Sequence, residues 1–337
     1  MSTVFLGTSE FAAGVLERLA RSEGHRPALV LTRPDRPSGR GRRLTSPPVA
    51  ERARALELPL EQPESVNDPG ARALIVQAGH RSRSGPQAGA PQGGGAIGRD
   101  ARQTVVVCAF GALIKEPLLS EHDILNVHPS LLPRWRGAAP IERAIMAGDE
   151  RTGVSIMRLT AGLDSGPVCL AEAEPIRPED TYGSLSERLQ ELGGELLVRA
   201  LQEAPPFLEQ ADDGVAYAEK LGAADRLLDP ARPALELERV VRALHPHIGA
   251  RVALADGTLL GVHRAVLLDP GSVAEGPGDA ELGAGGAGDE PGVRAHDGRL
   301  LLLCSPGVLE LLLVQPPGAR TMDASAYLRG HGLPGRR

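Results

Sequence analysis

The chain has 337 residues, 42% of them hydrophobic and 24% charged, a soluble globular composition at a length that calls for two domains. A net charge of −6 excludes an all-over polyanion-binding surface, and Cys108, Cys169 and Cys304 have neither disulfide-framework nor zinc spacing. The N-terminus has no basic leader, and no stretch reaches the ~18 apolar residues of a membrane span, so a cytoplasmic, non-membrane protein is expected.

The first predicted elements are a short apolar strand, residues 3–7, closed by Gly7, and a helix that Thr8 or Ser9 can cap. Residues 28–32 repeat the strand pattern, and strand, helix, strand predicts a parallel sheet. Gly7 and Gly14 do not make a GxGxxG fingerprint, so a dinucleotide site loses its main support. Residues 33–43 then hold Arg33, Arg36, Arg40, Arg42 and Arg43 against the single acid Asp35. Their prolines and glycines predict an exposed, irregular, cationic loop, either merely solvated or suited to phosphate. Pro47 and Pro48 open a helix with Val49, Ala53 and Leu56 on one face.

Residues 77–104 are rich in Gly, Ala, Ser, Gln and Arg, and predict a flexible excursion that buries no core. Residues 105–111 form a continuous apolar run, expected for a central parallel strand covered on both faces. The next strand carries Asn126 and His128, two apart and therefore on the same face, before Pro129 stops the ladder and Pro133 stiffens the exit. Pro140 starts a helix with Ile141, Ala144 and Ile145, closed by Gly148. Residues 154–157 and 168–170 read as strands flanking a glycine-rich turn that contains Asp164. Taken alone, Asp164 reads as an Asx-turn residue before Ser-Gly.

Ser184 with Glu187 predicts a capping box, followed by a core stripe of Leu185, Leu189, Leu192 and Leu196. Ala204, Pro205 and Pro206 predict the end of the first domain, so residues 1–204 form one domain, 205–230 a linker and 231–330 a second domain. There residues 236–244 read as helical, Asp256-Gly257 and Asp297-Gly298 as hairpin turns, and residues 308–314 as a strand. Short strands in this number predict an antiparallel, OB-like β-barrel, with a loose surface loop at residues 271–288.

A polar pair at a strand end beside a stiff loop is where open α/β sheets place chemistry. If Asp164 joins Asn126 and His128 there, the set is an amide donor, an imidazole and a carboxylate without a Ser or Cys nucleophile. That suits direct acyl transfer to an amine, with oxyanion donors and a proton shuttle. A metal site is not expected, because no further ligands stand at ligand spacing around His128.

The runs at 126–133 (NVHPSLLP), 136–141 (RGAAPI) and 163–166 (LDSG) resemble the folate-dependent formyltransferases. Residues 7–12 (GTSEFA), 33–37 (RPDRP) with Gly39-Arg40-Gly41, and 314–318 (VQPPG) with Met322 resemble the branch of that family that acts on charged tRNA. The resemblance implies an α/β, Rossmann-like formyltransferase domain with a parallel sheet, followed by a smaller OB-like β-barrel. It implies 10-formyltetrahydrofolate as co-substrate and the α-amine of methionyl initiator tRNA as acceptor; a monomer without metal is expected.

Carried over by position, Asn126, His128 and Asp164 are the catalytic trio, Ser130, Leu131, Leu132 and Pro133 contact the folate, and the arginine loop reaches the tRNA. Two other readings stay open. One is a sibling folate enzyme acting on a small molecule, or hydrolysing formyl-folate; the other is a non-catalytic RNA-binding OB-fold protein. Ser9 departs from a proline common in the family. The 245–250 run (HPHIGA) replaces a more aromatic version of the motif, which puts the stacking there in question.

Overall fold

The computed structural model describes residues 3–38, 43–81, 103–268 and 290–331. The chain divides into two compact units. The first comprises Met1–Ala138, Thr152–Glu174 and Ser186–Ala218; the second comprises Ala139–Arg151, Pro175–Leu185 and Glu219–Arg337.

In the first unit, β1 (Thr3–Gly7) leads into α1 (Glu10–Ala20), where Ser9 is the cap and accepts the Ala12 N–H. Then come β2 (Leu29–Leu31), a hairpin of β3 (Arg36–Ser38) and β4 (Arg43–Thr45), α2 (Pro48–Ala55), β5 (Leu60–Glu61) and α3 (Pro69–Arg81). After β6 (Thr104–Cys108) follow α4 (Leu118–Glu121), β7 (Asp123–His128) and β8 (Arg136–Gly137). Helix α5 (Pro140–Ala147) lies in the second unit, and β9 (Arg151–Arg158), β10 (Val168–Pro175), α6 (Tyr182–Glu203) and β11 (Tyr217–Ala218) complete the series.

The main sheet has the order β10-β9-β7-β6-β1-β2-β5. From β7 to β5 every pair is parallel, and β9 runs antiparallel to β7. The chain therefore leaves β1 in one direction, through β2 to β5, and returns on the other side at β6. The strand order thus reverses between β1 and β6, and open α/β sheets commonly bind ligands at the carboxyl ends of the strands beside such a switch. Strand alternation covers both faces. Val4, Leu6, Leu29, Leu31, Val105, Val107 and Ile124 pack on one side with Ile75 and Ala78 of α3. Phe5, Val106, Leu125 and Val127 are buried on the other, where Gly193 of α6 lies close to Val127 and Val154.

Three local expectations are corrected. Residues 33–43 are not an irregular loop throughout, because β3 and β4 pair antiparallel with Pro37 opposite Leu44. Proline is tolerated there because a two-stranded ribbon leaves one edge of each strand without a ladder to donate to. Arg40 and Arg42 lie outside the described residues. The bounds 77–104 of the expected flexible excursion are corrected at both ends: α3 continues to Arg81, β6 already begins at Thr104, and residues 82–102 lie outside the described residues. The capping box of α6 falls one turn earlier than Ser184–Glu187. Thr181 Oγ1 accepts the Ser184 N–H at 3.3 Å and Ser184 Oγ accepts the Thr181 N–H at 3.1 Å, so Ser184 is the partner rather than the cap.

In the second unit, α7 (Ala234–Leu244) buries Ala234, Leu237, Val240, Val241 and Leu244 against an antiparallel sheet. Its strands are β12 (Ala250–Ala253), β13 (Leu259–Leu268), β14 (Gly292–His296), β15 (Arg299–Leu303) and β16 (Val308–Gln315), in the order β12-β13-β16-β15-β14. Strand β17 (Met322–Asp323) adds to β16, and α8 (Ala324–Gly330) follows it. Asp297 and Gly298 both have positive φ, +46° and +71°, the geometry of a two-residue hairpin turn. The loop expected at residues 271–288 lies outside the described residues. In the 245–250 run, His247 supplies the stacking itself: its ring lies 3.7 Å from that of Tyr182, and its Nε2 is 3.0 Å from Glu142 Oε1.

Candidate active site

Strand β7 is buried along almost its whole length, yet it ends in two polar side chains, Asn126 (7% exposed) and His128 (4%). Burying such groups is unfavourable unless they find partners, and Asp164 is what they meet. It sits in the loop between β9 and β10 with φ +45°, a left-handed conformation uncommon outside glycine. The Asn126 amide donates to Asp164 Oδ1 at 3.4 Å, and the backbone N–H of Gly137 donates to Oδ2 at 2.9 Å. His128 Nδ1 lies 3.7 Å from the same Oδ2. The three residues singled out in the sequence therefore come together at one point on the sheet edge.

The imidazole is oriented from its other side. His128 Nε2 is 2.9 Å from the carbonyl of Trp135, and a carbonyl only accepts, so Nε2 carries a hydrogen. Nδ1 is thereby turned toward the Asp164 carboxylate, 3.7 Å away and beyond direct hydrogen-bond range. Trp135, conspicuous in the sequence as the only tryptophan, serves the site with its backbone. Its φ is +64°, and the Arg134 guanidinium lies 4.4 Å over its ring.

The turn after His128 is pinned from β9. Ser155 Oγ donates to the Ser130 carbonyl at 2.8 Å and accepts the Leu132 N–H at 3.1 Å, while Ser130 Oγ donates to the Arg134 carbonyl at 2.6 Å. Ser130 is fully buried and its hydroxyl is engaged within the turn, so its side chain shapes the segment 130–133. Leu131, Leu132 and Pro133 are half-buried, and Leu131 packs over Gly153 of β9. Burial pushes the Cys108 thiol far above its ordinary range, which removes it as a nucleophile. Among the described residues no group of three His, Cys, Asp or Glu could hold a metal ion.

Gln210, in the segment between α6 and β11, had no signal in the sequence. Its Nε2 donates to the carbonyls of Asp164 and Gly166, both at 2.8 Å, and its Oε1 accepts from Arg136 Nε and Nη2 at 3.0 and 2.7 Å. Strand β11 pairs parallel with β8, so the same segment borders Gly137. Ser155 was likewise invisible, because a serine inside a buried strand carries no motif.

The arginine group is only partly described. Arg36 is exposed on β3 and Arg33 is half-buried at its base. Asp35 ties the base of the hairpin to the sheet: it accepts from Gln62 at 2.7 Å and from Ser46 at 2.9 Å, bonds that hold its carboxyl below the usual carboxylate range.

A parallel-sheet α/β unit with an amide donor, an imidazole and a carboxylate brought together at the strand ends, and no Ser or Cys nucleophile among them, is an arrangement suited to group transfer by direct attack of one substrate on the other. The chain belongs to the formyl transferase family: residues 1–201 match its main domain and residues 220–332 match "Formyl transferase, C-terminal domain". It is thus a one-carbon transferase. Methionyl-tRNA formyltransferase from Ruegeria pomeroyi is 39% identical over 99% of this chain and 98% of its own, and that from Halorhodospira halophila is 40% identical over 98% and 96%.

Among solved structures, methionyl-tRNA formyltransferase from Clostridium thermocellum superposes with a TM-score of 0.55 at 11% identity, over 80% of this chain and 94% of its own. The Helicobacter canadensis N-formyltransferase complexed with folinic acid and dTDP-3-aminofucose gives 0.59 at 12%, over 92% and 98%. HypX from Aquifex aeolicus gives 0.58 at 16% over 99% of this chain, which spans about half (49%) of the HypX chain. These structural likenesses concern the fold.

Proposed function

We propose that this chain transfers the formyl group of 10-formyltetrahydrofolate to the α-amine of methionyl initiator tRNA. The observation that carries the reading is the Asp164 carboxylate, held by Asn126, Gly137 and His128 at the sheet edge, in a chain that matches tRNA-formylating relatives along its full length.

In this reading the amine nitrogen attacks the formyl carbon and forms the new C–N bond. The carbonyl oxygen becomes an oxyanion, steadied by the amide of Asn126 and, once Nδ1 is protonated, by His128; one such donor is typically worth about 3 kcal/mol. The proton shed by the amine passes to the Asp164–His128 pair, and the C–N bond to folate N10 breaks as N10 takes up a proton. Proton loss and gain balance, and no covalent enzyme intermediate is required.

Ser130, Leu131, Leu132 and Pro133 are assigned to the folate, with the buried Ser130 side chain shaping the turn that presents the segment. Arg33, Arg36, Arg40, Arg42 and Arg43 are assigned to tRNA phosphate, for which guanidinium forks are suited. Residues 1–204 act as the catalytic domain, 205–230 as the connection, and 231–330 as an OB-like domain that widens the RNA-binding surface. The protein works as a cytoplasmic monomer; among the described residues no helix is long and apolar enough to cross a membrane.

Radiolabelled formyl transfer to initiator and elongator methionyl-tRNA tests this directly. Transfer to the initiator is expected. Formylation of glycinamide ribonucleotide or a nucleotide amino sugar in its place, or simple hydrolysis of formyl-folate, overturns it.

A further inference from the structure

We infer that Gln210 is a positioning residue for formyl transfer, holding the Asp164 carboxylate in register with its Gly137 donor and with His128. The inference rests on the reading of Asp164 as part of the chemistry, and adds a residue that neither the motifs nor the trio includes.

The orientation of the Gln210 amide is determined by its neighbours. A guanidinium only donates and a peptide carbonyl only accepts, so Oε1 must face Arg136 and Nε2 must face Asp164 and Gly166. All four hydrogen-bonding positions of the amide are then used, which leaves it one low-energy pose. Its backbone is equally fixed. Two residues earlier, Leu208 exchanges both main-chain bonds with Val168 at the start of β10, at 2.8 and 2.9 Å.

Each arm of the amide reaches one side of the site. The Nε2 arm grips the carbonyl of Asp164 itself, so it helps hold that residue in its left-handed φ of +45° and sets the direction in which the carboxylate leaves the main chain. The Oε1 arm grips Arg136, the residue immediately before the Gly137 N–H that donates to the carboxylate. Gln210 thus spans the acceptor and its donor without touching the carboxylate. Its removal relaxes both sides of a 2.9 Å hydrogen bond on which the 3.7 Å spacing to His128 depends. Catalytic groups tolerate little displacement: an error of ~1 Å costs on the order of 10²-fold in rate.

Two substitutions separate the arms. Gln210→Met removes all four bonds at similar volume. Gln210→Glu keeps the bonds from Arg136 but sets a carboxylate against two carbonyl oxygens. Single-turnover and steady-state transfer to initiator methionyl-tRNA are measured for both, with thermal melts, alongside Asp164→Asn and the double variant Asp164→Asn/Gln210→Met. Both Gln210 variants are expected to lose about 10-fold or more in kcat, with KM for folate and tRNA within about threefold. In the Asp164→Asn background, Gln210→Met is expected to cost little further, because it acts through Asp164. A kcat within twofold of the parent for Gln210→Met, a loss confined to KM or melting temperature, or a full additive loss in the double variant overturns the inference. If Gln210→Met does not fold, the same kcat and KM criteria applied to Gln210→Glu decide. Near-parent activity of Asp164→Asn removes the trio reading itself; an inactive Asp164→Asn beside an unimpaired Gln210→Met removes only Gln210.

Discussion

The backbone N–H of Gly137 lies 2.9 Å from Asp164 Oδ2, and only glycine can present it there. Gly137 has φ +125°, and a Cβ at that position would come within 2.6 Å of the Ala218 carbonyl oxygen. Gly137→Ala must therefore move β8 away from β11 or rotate its own N–H off the carboxylate. We predict a loss of stability on the order of 1–3 kcal/mol together with a drop in kcat. Thermal denaturation and single-turnover transfer on the same preparation check it, and parent-like values in both discount the contact.

His128 is oriented by the Trp135 carbonyl and faces Asp164 with Nδ1. His128→Gln retains a donor for the carbonyl but cannot accept and return a proton. Its transfer rate is expected to fall by roughly 10²–10⁴-fold, the usual worth of a positioned acid–base group, with the melting curve little changed. A variant that transfers formyl at close to the parent rate excludes His128 from the proton path.

The hairpin of β3 and β4 is anchored at its base by Asp35 and carries Arg36 in solvent. Replacing Arg40, Arg42 and Arg43 with alanine is expected to weaken tRNA binding and to flatten the dependence of log K on log salt. Every phosphate that an arginine neutralises steepens that slope by roughly 0.7–0.9, so the alanine variant should be shallower by that amount per arginine engaged. Binding titrations across a salt series read it, and an unaltered slope makes the ribbon a solvated surface element.

Three histidines, His25, His122 and His245, have their basicity depressed first of all by burial, and each has a buried ring nitrogen without a hydrogen-bond partner. In the unfolded chain they titrate normally, near 6.5. Below that pH the unfolded state takes up protons that the folded state refuses, so stability is complete above about 6.5 and falls as the solution is acidified toward the depressed folded values. The melting temperature is expected to decline from pH 7 to pH 5. A variant with glutamine at all three positions should decline less over this interval, because the lowered carboxyls of Asp35, Asp225 and Asp256 titrate only at lower pH. Parallel melting curves for parent and triple variant count against this account.

Much of the first unit is legible in the order of residues. The apolar runs of β1, β6 and β7 are long enough to demand burial on both faces, and Ser9 marks a helix start, as Pro140 and Gly148 mark the ends of α5 in the second unit, by local chemistry that acts within a few residues. The arginine run at 33–43 and the glycine-rich run from residue 77 mislead for the opposite reason. Composition argues against regular structure, but a partner strand and a helix continuing from residue 69 override it there.

What the sequence determined by itself was the inventory of the site: Asn126 and His128 share a face because strands alternate, and Asp164 stands out as a carboxylate in a turn. Tertiary structure decided the arrangement. It turned His128 with a carbonyl, supplied Asp164 with a backbone donor, buried the Ser130 hydroxyl, and brought in Gln210 from far along the chain. Backbone carbonyls and N–H groups are the same in every residue, so the sequence does not mark which of them will be aimed at a side chain. Only the fold, by placing β8, β11 and the β9–β10 turn side by side, makes those uniform groups specific.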